Sequence, residues 1–390
     1  MVSIVSTHPA AFKYSSINPQ EKIMGFSTIP ISWYVDSNFY TQEQHYMVDM
    51  PKYVGHSLMV PNIGDYFTLT STFEEKMLLH SHDGIKLSSN ICKHRQAIML
   101  NGKGNAQHIV CPLHRWTYQL NGQLLGAPKF EETPCLQLEQ SHLQVWNGLL
   151  FESQRNVVKE LSQIKCADYF DFSGFKYSNM VIEDYDFNWK TFIEVYLEDY
   201  HVSSFHPGLN QFVDCSDLNW EFGEHFSAQI VGIQPNLVKS GSVIYQAWQT
   251  ALMNYSEKKV PKFGAIWLVF YPNLMIEWYP HVLVVSHLMP QGPNECRNFV
   301  EFYYPEDIIL FEPDFIKAHQ AAYFETAAED KEICQRMHNG RKALYANSKD
   351  ERGPYQHPLE TGLEHFHQWL NSQWHQSEQP ENKAKVVIVE

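Results

Sequence analysis

Cys92, His94, Cys111 and His114 form a C-x-H pair and a C-x-x-H pair separated by sixteen residues. Each pair, in NICKHRQ and CPLHRWTY, is short enough to grip one edge of a small metal cluster from a single loop, so two loops would clamp it from opposite sides. Two thiolates on one iron and two imidazoles on the other are the ligands of a [2Fe-2S] centre with a raised potential, because neutral imidazole donates less charge than thiolate. Such a centre relays electrons, which points to a redox enzyme. Structural zinc is the alternative use of two Cys and two His, but zinc sites usually group their cysteines together, whereas here each loop carries one of each. A zinc protein would also be colourless, while an iron–sulfur cluster absorbs visible light.

A second pair lies downstream. In NWKTFIEVYLEDYHVSSFH, His201 and His206 are five residues apart and Glu198 precedes the first by three. Near a helix end both rings could turn toward one ion, and a carboxylate from a distant segment would complete a 2-His-1-carboxylate set that leaves positions on Fe(II) open for oxygen. Alone, H-x4-H is a weak signal, since a histidine pair in an aromatic-rich helix is commonly structural. Its place behind a cluster signature favours the metal.

The elements that must carry these pairs follow from pattern and punctuation. From about 40 to 160, short segments bounded by SHDG, LNGKGN and QLNGQLLGAP predict small β-sheets, with the cluster ligands in two of their loops. From 180 to 205 the apolar residues Phe192, Val195, Tyr196 and Tyr200 fall near helical spacing. The runs FGAIWLVFYPNLMIEWY and HVLVVSHLMP predict strands that wall a second domain. DFIKAHQAAYFETAAEDKEICQRMHNG predicts a long helix ending at Asn339-Gly340, LETGLEHFHQWLNSQW a second helix, and HQSEQPENKAKVVIVE a frayed tail.

At 390 residues two domains are expected. A formal charge of −15 argues against a nucleic-acid partner. No apolar run approaches the length needed to cross a bilayer, and MVSIVSTHPAAFKYSS lacks the pattern of a secretory signal, so a cytoplasmic location without membrane contact is expected. Outside the cluster pairs, Cys135, Cys166, Cys215, Cys296 and Cys334 are scattered and read as reduced, mostly buried thiols.

Taken together, these motifs resemble the α-subunit of Rieske non-heme iron oxygenases, over nearly the whole chain from IPISWYVD onward. The resemblance implies an α+β chain: an N-terminal segment over 1–40, a Rieske [2Fe-2S] β domain over 41–160, and over 161–390 a helix-grip catalytic domain built on an antiparallel sheet. It implies that His201 and His206 hold mononuclear Fe(II) together with Asp330 of Glu329-Asp330-Lys331-Glu332-Ile333, Glu329 offering the same chemistry one position away. Glu198 stands where many members have Asp, the carboxylate that bridges a cluster histidine to an iron histidine as an electron-transfer bridge, here from His114 to His201.

The longer side chain at 198 is similar to that of members attacking quaternary ammonium compounds, such as carnitine and glycine-betaine monooxygenases. Glu194, where many ring dioxygenases have Asn, departs further from aromatic dihydroxylases and would favour a cation. The implied activity is that of a terminal oxygenase hydroxylating or oxidatively demethylating a small organic substrate, either aromatic or quaternary ammonium, with O2. The implied assembly is a head-to-tail homotrimer fed by a reductase, with or without a ferredoxin, that draws on NAD(P)H; the chain has no nucleotide-binding glycine motif of its own. Phe205, Trp248, Trp267 and Trp278 are candidate pocket walls. A Rieske-type electron carrier without oxygen chemistry is the alternative, which the second histidine pair and the extra chain length oppose.

Overall fold

The computed structural model describes residues 25–69, 75–235, 237 and 241–377. The N-terminal stretch through Met24 and the tail from residue 378 lie outside them.

Between Lys52 and Glu152 the chain forms three small antiparallel sheets, as the turn signals predict. A five-stranded sheet places Lys76–Ser81 at its centre, between Asp65–Thr68 and Gly84–Ser89. The turn from Ser81 to Gly84 needs a residue at φ 95, which glycine adopts without a Cβ clash. A three-stranded sheet of Ile109–Val110, Thr117–Tyr118 and Leu124–Gly126 carries the second cluster loop.

The larger unit is a seven-stranded antiparallel sheet in the spatial order 175–185, 295–305, 282–292, 274–279, 265–270, 226–233 and 213–223. Both of its faces are covered, which is why Ala265–Phe270 reads as a continuous apolar run instead of an alternating one. Ile266, Leu268, Ile276, Leu283 and Val285 face Tyr53, Trp146 and Phe151 of the N-terminal sheets. Trp267, Val282, Val284, Val300 and Phe302 face Trp248 and the helix Pro313–Ala346.

That helix runs 34 residues, past the stop expected at Asn339-Gly340. Glycine inside a helix costs about 1 kcal/mol against alanine. The turn beyond it is held by Arg341, which donates to Thr191 Oγ1 and Glu194 Oε2 at 2.8 and 2.5 Å. This tertiary anchorage outweighs the local stop signal. Among the described residues, no helix is long and apolar enough to cross a membrane.

The NWK segment has a structural role. Asn188 caps the helix Trp189–Tyr196 through the Lys190 N–H. Lys190 Nζ lies 2.6 Å from Glu43 Oε1, and Trp189 Nε1 donates to Glu43 Oε2 at 3.0 Å, in an ion pair with 0% and 1% of its side chains exposed. Glu43 belongs to the helix Ser37–Met47, so the pair ties the N-terminal segment to the strand–helix corner before the second histidine pair. Removing one partner leaves an uncompensated buried charge, and Glu43→Ala should lower unfolding stability by about 3–5 kcal/mol, read as a shifted urea midpoint.

Candidate metal centres and the adjoining cavity

The two cluster loops are built alike. Cys92 and Cys111 each open a tight turn in which their carbonyls accept from Gln96 N–H and Arg115 N–H, four residues on, at 3.1 and 3.0 Å. Gln96 and Arg115 both sit at positive φ, 55 and 62, so the same sparsely populated conformation is held at the same place in each loop. The thiols are buried, with Cys92 1% and Cys111 2% exposed, and Tyr118 Oη lies 3.4 Å from Cys92 Sγ. The His94 and His114 rings stand 4.7 Å apart, and Trp116 stacks on His94 at 4.7 Å and 6°.

His94 Nδ1 is buried with no hydrogen-bond partner among the described residues. An orphaned imidazole nitrogen beside two buried thiols costs free energy unless something accepts its lone pair. A [2Fe-2S] cluster with two thiolate and two imidazole ligands fits this donor set. Replacing His94 or His114 by Cys should keep an iron–sulfur chromophore but move its visible spectrum and lower its potential, because thiolate adds negative charge. Unchanged spectra in both variants would remove these histidines from the ligand set.

The second pair departs from the continuous helix expected through His206. The helix ends at Tyr196, the chain turns over Leu197–Tyr200, and Val202–Phe205 forms a separate short turn of helix. The break is what joins the rings: on an unbroken helix, residues five apart would point about 140° away from each other. Glu198 Oε2 accepts from the backbone N–H groups of Tyr200 and His201 at 2.6 and 3.1 Å, which stabilises the break.

Across it, His201 Nε2 and His206 Nε2 approach to 2.9 Å, and Asp330 Oδ1 lies 3.5 and 3.0 Å from them. Metal–nitrogen bonds of about 2.1 Å at right angles place neighbouring donors about 3.0 Å apart, so the triangle fits three ligands on one face of an octahedral ion. Burial would raise the Asp330 pKa, but His201 and His206 hold it down to about 2, so it stays a carboxylate at neutral pH. Burial would lower His201, yet the Asp330 and Glu198 carboxylates push it up to about 10. The site therefore attracts positive charge.

Each imidazole is fixed from behind. Glu198 Oε1 is 2.5 Å from His201 Nδ1, and Glu329 Oε2 is 2.7 Å from His206 Nδ1. A metal that displaced the Nε2 protons would leave Nδ1–H donating in both rings and the Nε2 lone pairs turned to the point shared with Asp330. The choice between Asp330 and Glu329 is thus separated in space: Asp330 faces the shared point, and Glu329 orients a ring.

Glu194 does not face a substrate. It is 2% exposed and bound by Arg341 at 2.5 Å, His367 at 2.8 Å and the Tyr34 hydroxyl. Burial would raise its pKa, but Arg341 and His367 overcome this and hold it at about 2. It is a structural carboxylate tying its own helix to three others, which corrects the expectation that it favours a cationic substrate.

Beside the triad opens a cavity of about 800 Å³, including solvent at its mouth, into which His201, His206 and Asp330 face. Trp248 and Trp267 line it. Trp278 does not: strand residues alternate in direction, so Trp278 points to the opposite sheet face, against Tyr169, while its neighbours Glu277 and Tyr279 point into the cavity. Phe205 instead sets its ring edge against His206 at 5.8 Å.

Two buried carboxylates on this wall, Glu277 and Asp199, each 2% exposed, were not picked out from the sequence. For Glu277 the signal was present as a lone acid inside the apolar strand LMIEWY. Asp199 was hidden among Glu198 and His201, which drew the motif reading.

Residues 167–376 match the ring hydroxylating alpha subunit (catalytic domain) family, and residues 51–137 match the Rieske [2Fe-2S] domain. A putrescine 2-hydroxylase from Ralstonia nicotianae is 56% identical over 87% of this chain and 94% of its own length. A second, from Bordetella bronchiseptica, is 46% identical over 87% of this chain and 83% of its own. The chloroplastic choline monooxygenase of Atriplex hortensis is 26% identical over 88% and 77%. Among solved structures, a quaternary ammonium Rieske monooxygenase implicated in carnitine oxidation superposes with a TM-score of 0.74 at 17% identity, covering 90% of this chain and 96% of that one.

Proposed function

We propose that this chain, which belongs to the ring-hydroxylating α-subunit family of Rieske oxygenases, hydroxylates a saturated aliphatic diamine of the putrescine type. The observation that carries the reading is the identity of 56% and 46%, over most of the chain, to two putrescine 2-hydroxylases, above the 26% shared with a choline monooxygenase. The open face of the His201, His206 and Asp330 triangle, turned into a small cavity, supports it.

In this reading Cys92, His94, Cys111 and His114 hold the [2Fe-2S] cluster, and His201, His206 and Asp330 hold the mononuclear iron. When bound, these groups supply the electrons and the O2 activation by which the enzyme oxidises its substrate. The polypeptide's part is positional. Glu198 and Glu329 fix the two imidazoles by their Nδ1–H groups, and the aromatic walls exclude bulk water around the bound substrate.

Glu198 uses three of about four lone-pair sites on His201 and two backbone amides, leaving one for an imidazole of a neighbouring subunit. This supports its role as the bridge between centres in a head-to-tail homotrimer, as does the exposed surface of His114, Leu113 and Phe130 around the cluster loops. A separate reductase drawing on NAD(P)H, with or without a ferredoxin, completes the system. The division into 1–40, 41–160 and 161–390 is supported by the small sheets lying within Lys52–Glu152 and the large sheet within 175–305. Seven unpaired cysteines accord with a cytoplasmic location.

Substrate-stimulated oxygen consumption with a surrogate reductase tests this reading. A panel of aliphatic diamines, choline, carnitine and aromatic acids should give coupled consumption and a hydroxylated product with a diamine. A response confined to quaternary ammonium or aromatic compounds would overturn it.

A further inference from the structure

Glu277 is a buried acid on the cavity wall. Its strand pairs it directly with Trp267 across the sheet, placing both side chains on the face that looks into the cavity. The carboxylate is 2% exposed and, among the described residues, has no cationic side chain bound to it. Instead it is held by hydroxyls: Tyr279 donates to Oε2 at 2.7 Å, Tyr323 to Oε1 at 3.1 Å and Ser286 to Oε1 at 3.4 Å. Trp267 Nε1 in turn donates to Tyr279 Oη at 2.9 Å, which fixes the phenol that fixes the acid.

A carboxylate offers about four acceptor sites, and three donors leave one open on Oε2. Next to it, the buried Tyr196 hydroxyl lines the same cavity and has no hydrogen-bond partner among the described residues. An acid in an apolar wall is costly unless its charge meets a counter-charge, and none of the described side chains supplies one.

We propose that Glu277 is the anchor for one ammonium group of the substrate, with Tyr196 and the faces of Trp267 and Tyr279 completing its seat. This rests on the diamine reading above and sharpens it: the seat requires an N–H donor for the free acceptor site, so it takes a primary ammonium in preference to a trimethylammonium group. The aromatic faces attract either cation, but only the former also makes a charge-assisted hydrogen bond. Anchoring one end leaves the methylenes of the chain toward the triad, so Glu277 positions the substrate for the carbon attacked.

The groups facing Glu277 are Tyr279 on its own strand, Ser286 on the next, Tyr323 and, further off, Asp330 on the long helix, and Tyr196 at the end of the Trp189–Tyr196 helix. Burial dominates, raising the Glu277 carboxyl to about 7 against the lowering effect of the hydroxyl donors. Since the ionised form binds the cation, diamine affinity should rise as pH increases through 7.

Anaerobic titration calorimetry of oxidised holoenzyme with 1,4-diaminobutane and with its analogue trimethylated at both nitrogens tests the anchor. Wild type should prefer the primary diamine, and Glu277→Gln should weaken its binding about 10- to 100-fold, with loss of the preference and of the pH dependence between 6 and 8. Tyr196→Phe, which removes only the unpartnered hydroxyl, should weaken it a few-fold, and an unchanged cluster spectrum reports an intact fold in both variants. Wild-type affinity and pH dependence in Glu277→Gln would overturn the anchor while leaving the diamine reading in place. Wild type preferring the trimethylated analogue would overturn the N–H requirement, and wild type binding no amine would overturn anchor and diamine reading together.

Discussion

Asp330→Ala should strip the mononuclear iron and leave the cluster's iron and visible spectrum in place, with turnover falling by on the order of 10³-fold or more. Asp330 supplies the only carboxylate oxygen of the triangle, 3.0 and 3.5 Å from the two imidazole nitrogens. Without it two neutral imidazoles remain, too few to hold Fe(II) against water. His201→Ala and His206→Ala should behave alike. Glu329→Ala tests the neighbouring assignment: it removes the acceptor behind His206 Nδ1 but no ligand, so iron affinity or activity should fall about 10- to 100-fold without abolition. Full loss of iron in Glu329→Ala with retention in Asp330→Ala would exchange their roles. Total iron by mass spectrometry beside the cluster absorbance distinguishes these outcomes.

Glu198→Gln should leave the cluster reducible and the substrate bound, yet slow cluster reoxidation about 10- to 100-fold or more in a pre-reduced enzyme given oxygen and substrate. One carboxylate now receives His201 Nδ1–H and two backbone amides. An amide has a single acceptor oxygen, and its NH2 would face donors at whichever end it is turned. Either the imidazole loses its fixed orientation or the break after Tyr196 loses its cap, and in both cases the proposed bridge to a neighbouring subunit would be disturbed. Stopped-flow absorbance of the cluster reads this directly. Wild-type reoxidation in the variant would reduce Glu198 to a helix-capping acid.

Much of this was legible in the residues, and what escaped had physical causes. The two loops that bring His94 and His114 together were readable because each Cys/His pair is short and local. The turn glycines and the β-rich runs placed the sheets, since each signal acts within a few residues. The break before His201 was not legible, because apolar spacing continues through Tyr200 while a capping contact from Glu198 decides the conformation. Nor was the length of the long helix, where Arg341 reaching Glu194 overrides Asn339-Gly340. Glu194, the acid inside the motif, proved structural, whereas Glu277, an acid inside an apolar strand that no motif marked, faces the cavity. Burial and pairing decide which carboxylate is free to meet a ligand, and for Glu194 the deciding partner, Arg341, lies 147 positions away in sequence.

The most direct test of the central claim is a single turnover of chemically reduced enzyme with 1,4-diaminobutane under ¹⁸O2, followed by mass spectrometry of the product. The expected product is a mono-hydroxylated diamine carrying one ¹⁸O atom, formed in step with cluster reoxidation. Cluster reoxidation with unaltered diamine, or a product whose oxygen comes from water, would contradict it.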